Sequence, residues 1–388
     1  MAVAAGLAVA NVYLVQPLLD LIGASLSMTA ASLGLAVTLT QTGYAIGLVL
    51  LVPMGDVMDR RRLIVVQTGL SALALAGVAL SGSQMMFLMT LAAVGVLAVT
   101  VQSLVAFAGA LAPPDRRGAV VGKVTGGIII GILAARAVSG SVSDWLGWRA
   151  VYGISAVMCL AATLVLSAAL PRDTRHSPRG DYRAILRSLP ALLRRDRVLQ
   201  FRAAFAFVVF AAFSTFWTPL VLALTAPPFK LSHSHIGLFG LVGIAGAIGA
   251  RGAGRLVDRG QAHWVTGAAL ALLCLSWGFI MLLPLSLGWL AAGITLLDLA
   301  VQAVHVTNQT LIVGRHPDAA GRIIAGYMVF YSAGSAAGAA VSTYVYSLWG
   351  WGGVCLTGFC ISLAGLALWS CVAATASNQI RRRRILRK

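Results

Sequence analysis

Apolar residues run through this chain in stretches of about twenty, the length a helix needs to cross a hydrocarbon layer, and each stretch ends in a short polar or basic cluster. The stretches are nearly continuous. They do not alternate apolar and polar residues with the period of two that a transmembrane barrel strand requires. The pattern predicts helices near 1–22, 33–54, 63–81, 85–111, 119–142, 148–169, 201–225, 235–254, 263–284, 287–313, 323–346 and 351–374. The expected fold class is therefore all-α integral membrane, with twelve transmembrane helices.

Composition and charge sharpen this picture. The chain is 59% hydrophobic and 10% charged, a balance that no soluble protein of this length needs. Its 29 Lys+Arg against 11 Asp+Glu would ordinarily point to nucleic acid. Here the basic residues sit between membrane-length runs, so no nucleic-acid partner is expected. With Met1 on the cytoplasmic side, Arg60–Arg62, Arg116–Arg117, the 171–202 segment, Arg255, Arg259, Arg315, Arg322 and Arg381–Arg384 all fall on that same side. The opposite connections hold only Arg149 and Lys230, and Arg136 lies inside a span. This asymmetry places both termini in the cytoplasm and sets the basic clusters against anionic inner-leaflet lipids. The first span starts at Met1 without a basic leader, unlike a cleavable signal peptide; a start further upstream would supply a cytoplasmic tail. All five cysteines fall within spans, which speaks for buried thiols and against a disulfide framework.

The chain also repeats itself. The stretch Gly254 to Gly260, GRLVDRG, and the stretch Gly55 to Leu63, GDVMDRRRL, each close one span and open the next. Asp56 precedes Asp258 by 202 positions. The pairs Pro114/Pro317, Gly131/Gly334 and Gly147-Trp148/Gly350-Trp351 are each 203 apart. Landmarks in one order at one offset indicate an internal duplication. They divide the chain into a six-helix bundle at 1–170, a basic linker at 171–200, and a second six-helix bundle with a basic tail at 201–388.

Two parallel six-helix halves, with a charged loop after the second helix of each, resemble the major facilitator superfamily over the whole chain. In that family's loop signature, Gly254, Asp258 and Arg259 match in the second half. Asp56, Arg60 and Arg61 match in the first, where Asp59 stands in place of a glycine. The stretches Asn11 to Leu19, Gly131 to Gly140 and Leu296 to Gln309 are similar to a bacterial branch of sugar-efflux and drug-efflux-type members. The resemblance implies a monomeric secondary transporter of the bacterial inner membrane that moves a small molecule by alternating access and needs no cofactor. Proton-coupled efflux is the expected form; the alternatives are a sugar or organic-anion importer or facilitator, and a transport-inactive sensor or scaffold. The resemblance also assigns these loop residues a part in gating. Asp258 at a helix end can bond arginines or free N–H groups in one arrangement and release them in another. The plainer alternative is that the arginines only mark the cytoplasmic side.

Charges inside a span are costly and tend to mark function. Asp298 begins a stripe continued by Gln302, His305 and Gln309, which share roughly a 60° arc of the tenth helix; Gln302 and Gln309 on this face are expected to contact substrate, the alternative being a polar seam between helices. A carboxyl buried near the midplane, and opened alternately to each side, is what a proton-coupled carrier needs. His305 would relay that proton, since imidazole changes charge near neutral pH. The alternative role for Asp298 is structural counter-ion to Arg136. Arg136 itself has three candidate roles: holding an anionic substrate, bridging the halves through Asp298, or reaching outward to Asp144. In the resembled family, spans 1, 4, 7 and 10 line the path. This nominates Asn11, Tyr13 and Gln16 from the first, Gln102 from the fourth, and Trp217 amid Phe205, Phe210, Phe213 and Phe216 from the seventh as substrate contacts. No phosphate-binding lysine motif, zinc-spaced cluster or nucleophile–base pair occurs, so ATP-driven and enzymatic functions are not expected.

Overall fold

The computed structural model describes residues 1–113, 116–171, 182–315 and 320–385. The Pro114 and Pro317 landmarks and the linker stretch 172–181 lie outside the described residues. Helix is the dominant element among those described, and no strand occurs there. The membrane-length helices are α1 (Ala2–Leu26), α2 (Ala30–Leu50), α3 (Arg60–Ala79), α4 (Gln84–Leu111), α5 (Arg117–Leu146), α6 (Trp148–Ala169), α7 (Arg197–Thr225), α8 (His233–Asp258), α9 (Ala262–Met281) and α10 (Leu287–Arg315). A last helical stretch, Ala320–Ile385, is broken at Gly350 into α11 (320–349) and α12 (351–385). The fold is thus all-α with twelve spans. A linker helix, Tyr182–Arg195, joins α6 to α7.

Local chemistry explains where the helices start and stop. Asp59 caps α3 by accepting from the N–H groups of Arg61 (2.8 Å) and Arg62 (3.4 Å). Asp196 caps α7 through Val198 and Leu199. Each satisfies donors that a helix start leaves free. Gly147 and Gly350 adopt positive φ (79° and 60°), so the chain reverses between α5 and α6, and between α11 and α12, where a side chain would be strained. Both glycines precede a tryptophan. Two further breaks match: α1 is interrupted by a 3-10 turn at Gln16–Leu18 and α7 at Pro219. Proline has no N–H for the helical ladder. Pro17 and Pro219 stand at the offset already seen between Asp56 and Asp258. Each break lies beside a residue of the candidate site.

Close backbone contacts order the bundle. A Cβ on Gly131 would overlap the carbonyl of Gly6, so α5 lies directly on α1. At the matching place, a Cβ on Gly334 would overlap the carbonyl of Phe207, so α11 lies directly on α7. Small residues permit such approach where no water competes for the contact. We call the end carrying Arg60–Arg62 the basic face and the opposite end the far face. Toward the far face, α2 meets α11, with Thr38 donating to the Ala336 carbonyl (3.1 Å) and Gly34 seated against Ala339 and Thr343. There too α5 meets α8, with Gly140 against the His233 carbonyl and Gly237 against that of Arg136. The far end is closed by these four helices.

Replacing Gly334 by Ala is expected to destabilise the protein by about 1–3 kcal/mol, the usual range for overpacking, although alanine is the better helix former. Gly352→Ala, where a Cβ meets nothing within 4 Å, serves as the control. Thermal unfolding in detergent should show a lowered midpoint for the first variant and an unchanged or raised one for the second.

Candidate functional site

Among the described residues, Asp298 is the only buried carboxylate and Arg136 the only guanidinium buried to the same degree, at 8% and 3% exposed. They lie on α10 and α5, and Trp217 of α7 stands between them. The Arg136 guanidinium sits over the Trp217 ring, 3.9 Å from its centroid. Trp217 in turn directs its indole N–H at Asp298 Oδ1, 3.5 Å away. Tyr13 and Phe213 complete an aromatic enclosure, 5.2 and 5.6 Å from the guanidinium carbon. Such rings offer a cation their negative faces. Arg136 Nε donates to Gln16 Oε1 at 3.0 Å, while its Nη2 is buried with no partner.

Helix breaks and glycines make this arrangement possible. The 3-10 turn in α1 carries Gln16, and the break in α7 follows Trp217. On the other side of Asp298, α8 passes so close that a Cβ on Gly243 would overlap Asp298 Oδ2 and one on Gly246 would press on its Cβ. The carboxylate is thereby held against a bare stretch of backbone. Arg136 is covered by the same helix, since its side chain packs on Gly240.

The other nominated residues fall into separate places. Tyr13 shares a hydrogen bond with the Tyr331 hydroxyl of α11, and Tyr331 packs on Phe210 with ring centroids 3.8 Å apart. His305 lies edge-on to Phe210. Gln309 approaches its Nε2 at 3.2 Å, and its Nδ1 is 2.9 Å from the Tyr327 hydroxyl. With the amide donating to Nε2, the proton rests on Nδ1 and is given to Tyr327. Asn308 continues the chain, donating to Tyr327 (3.4 Å) and accepting from Arg202 (3.2 Å). These polar groups lead from His305 toward the basic face. Gln302 is half-buried, and its side chain bonds no other side chain among the described residues. Gln102 donates to the Tyr44 hydroxyl at 3.2 Å and lines a cavity of about 350 Å³ at the basic end. Leu48 and Val52 of α2, Leu186 and Leu193 of the linker helix and Phe330 of α11 form its largely apolar walls.

Two expectations meet different geometry. Asn11 turns away from Arg136 into the bundle of α1, α3, α4 and α6, where it donates to Cys159 Sγ at 3.4 Å. Arg136 does not reach Asp144, whose oxygens are taken by His233 and Ser234. The two charged loops also differ. Arg60 bonds Asp56 (3.4 Å) and the Gly55 carbonyl (2.9 Å), and Arg61 donates to the Ser167 carbonyl of α6. Asp258 ends α8 exposed, its side chain without a hydrogen bond or ion pair among the described residues; Arg259 follows it, also exposed, and Gly254 lies near Val306 of α10. Tyr44, Tyr327, Tyr331 and Arg202 were not anticipated, because each takes its place from a partner remote in sequence.

The family model described as Major Facilitator Superfamily matches residues 1–323. The chain belongs to the Major Facilitator Superfamily. It is 44% identical over 369 residues to the YgaY transporter of Escherichia coli O157:H7, covering 95% of this chain and 93% of that one. It is 32% identical over 347 residues to the transporter SCO4007 of Streptomyces coelicolor, covering 89% and 80%. In fold it is similar to a bacterial homologue of the human lysosomal transporter Spinster, solved inward-facing and occupied, with a TM-score of 0.77 at 13% identity over 96% and 95% of the chains. It is also similar to the human organic anion transporter MFSD10, with a TM-score of 0.70 at 21% identity over 95% and 98%. As a member of this superfamily the protein is a multi-pass membrane transporter of a small molecule, and not an enzyme.

If Arg136 and Asp298 compensate each other through Trp217, removing either leaves a lone buried charge, which costs about 3–5 kcal/mol. Arg136→Gln and Asp298→Asn should each lower the unfolding midpoint strongly. The double variant should recover much of the loss, which a double-mutant cycle of thermal unfolding will register.

Proposed function

We propose that this transporter couples proton passage through Asp298 to the export of a small organic molecule across the bacterial inner membrane. The basic face and both termini lie in the cytoplasm, and segments 1–170 and 201–388 move as two halves joined by the 171–200 linker. The observation that carries this reading is the isolation of Asp298: among the described residues no other carboxylate is buried. Its neighbours supply one long hydrogen bond, from Trp217, and the nearby charge of Arg136. A proton on this carboxylate relieves its own desolvation and leaves Arg136 without its counter-charge, so protonation and the conformation around Arg136 are coupled. Protonation would then release Arg136 from its role as counter-charge and alter the packing of α5 against α8 and α10. His305, with its hydrogen-bonded chain to Tyr327, Asn308 and Arg202, is suited to pass protons toward the basic face.

The closed far end, with a cavity at the basic end, supports an arrangement open toward the cytoplasm. The charged loops, Asp56 with Arg60 and Arg61 and the Gly254–Asp258–Arg259 copy, would then close that side in the opposite arrangement. Substrate would pass Gln102, Tyr13 and Gln309 toward Gln16, Gln302 and Trp217. A second reading, an organic-anion facilitator anchored on Arg136, is favoured by the unpartnered Nη2.

The test uses purified protein in proteoliposomes and a compound first found by thermal stabilisation across sugars, organic anions and amphiphilic cations. Asp298→Asn should abolish transport driven by a pH gradient while sparing exchange of labelled for unlabelled compound. Loss of both activities counts against a proton-carrying role. An Arg136→Gln variant that loses anions selectively, with the pH response of other compounds unchanged, would favour the facilitator.

A further inference from the structure

His233 opens α8 at the far face, ahead of the membrane-crossing stretch, and lies between carboxylates from two other helices. Its Nδ1 is 3.0 Å from Asp144 Oδ1 at the end of α5, and its Nε2 is 2.9 Å from both oxygens of Asp20 on α1. Asp144 also accepts from the backbone N–H groups of His233 (3.2 Å) and Ser234 (2.8 Å) and from the Ser234 hydroxyl (2.5 Å). It therefore caps the start of α8 from a helix more than eighty residues earlier in the chain. A neutral imidazole has one N–H to give and would aim a lone pair at the second carboxylate. With a carboxylate on each ring nitrogen, the ring fits its place as an imidazolium.

We propose that His233, Asp20 and Asp144 form the far-side gate of transport, a latch that holds while His233 carries its proton and yields when that proton leaves. The proposal rests on the reading that the two halves part at this face during transport. The packing beneath the latch ties it to the buried charges. Gly140 and Gly237 bring α5 and α8 into backbone contact directly below His233, and Gly240 covers the Arg136 side chain one turn further in. Separation of α8 from α5 at the latch also uncovers Arg136.

The titratable groups facing His233 are Asp20 from α1 and Asp144 from α5. His235, the next titratable group along α8, is bonded to Ser232 instead. Burial by itself lowers the His233 pKa, but hydrogen bonds and charges from Asp20 and then Asp144 more than offset it, leaving the group above its usual value. The raised value belongs to the latched state. Its stabilisation of that state is complete below the ordinary imidazole pKa of about 6.5 and is lost as pH rises through the raised one.

Hydrogen–deuterium exchange of the intact protein in detergent tests this without a substrate. After correction for intrinsic rates, amides of residues 234–242 should exchange markedly more slowly in acid than in alkaline buffer, the direction set by the raised His233 pKa of the latched state. His233→Gln should exchange fast at both pH values, and Asp20→Asn, the milder change, should narrow the difference. Asp298→Asn should keep the wild-type dependence, which separates this proposal from proton coupling at Asp298. Equal protection of the wild type at both pH values would overturn the latch. So would a dependence that survives His233→Gln or disappears in Asp298→Asn.

Discussion

Arg136 and Asp298 come from opposite halves of the sequence, are buried away from water, and do not touch. Trp217 stands between them, its face to the guanidinium and its N–H to the carboxylate. An isolated charge in such surroundings costs several kcal/mol even after relaxation, so each of these two requires the other's field and a preorganised polar contact. Much of the surrounding architecture serves that requirement. The break at Pro17 brings Gln16 to Arg136, the break at Pro219 follows Trp217, and the glycines of α8 let backbone approach both charges. The same glycines leave no spare volume. Any change in the charge state of Asp298 must be taken up by movement of α8 against α5 and α10, because a close-packed interior transmits strain rather than absorbing it.

The far end and the basic end of the molecule are built from different materials. At the far end, backbone meets backbone through Gly34, Gly140 and Gly237, and polar groups from opposite halves of the sequence bond one another. At the basic end, two ion pairs each join elements of one half of the sequence: Asp56 with Arg60 in one loop, and Asp196 with Arg315 (3.5 Å) between the start of α7 and the end of α10. An apolar cavity lies there under the linker helix. The contrast favours separation at the basic face and close association at the far face in the arrangement observed. Asp258, exposed and with no side-chain bond among the described residues, is the loop residue most free to take a new partner when that association reverses.

The spans were legible in the sequence because the membrane imposes one length and one polarity on all of them. Gly147 and Gly350 were legible as boundaries because the chain must reverse there. Asp298 and Arg136 stood out for the same reason that they are expensive, as charges in apolar runs. What a single sequence does not carry is the direction a helix face looks once packed. Asn11 and Gln16 are five residues apart on one span, about 140° around a helix, and packing turns the first to Cys159 and the second to Arg136. Asp59, which breaks the family's loop pattern, has a local reason in its capping of α3. The contacts of His233 with Asp20 and of Tyr13 with Tyr331 join positions hundreds of residues apart, and no local pattern announces them.

On the proposed reading, Asp298 gains and loses a proton within the folded transporter. Infrared difference spectroscopy between acidic and alkaline buffer tests it most directly, since a protonated carboxyl has a carbonyl band that a carboxylate lacks. The wild type should show one such band from a buried carboxyl, shifted from those of exposed aspartates, and Asp298→Asn should lack it. A wild-type spectrum without that band, or a variant that keeps it unchanged, would mean that Asp298 does not carry the proton.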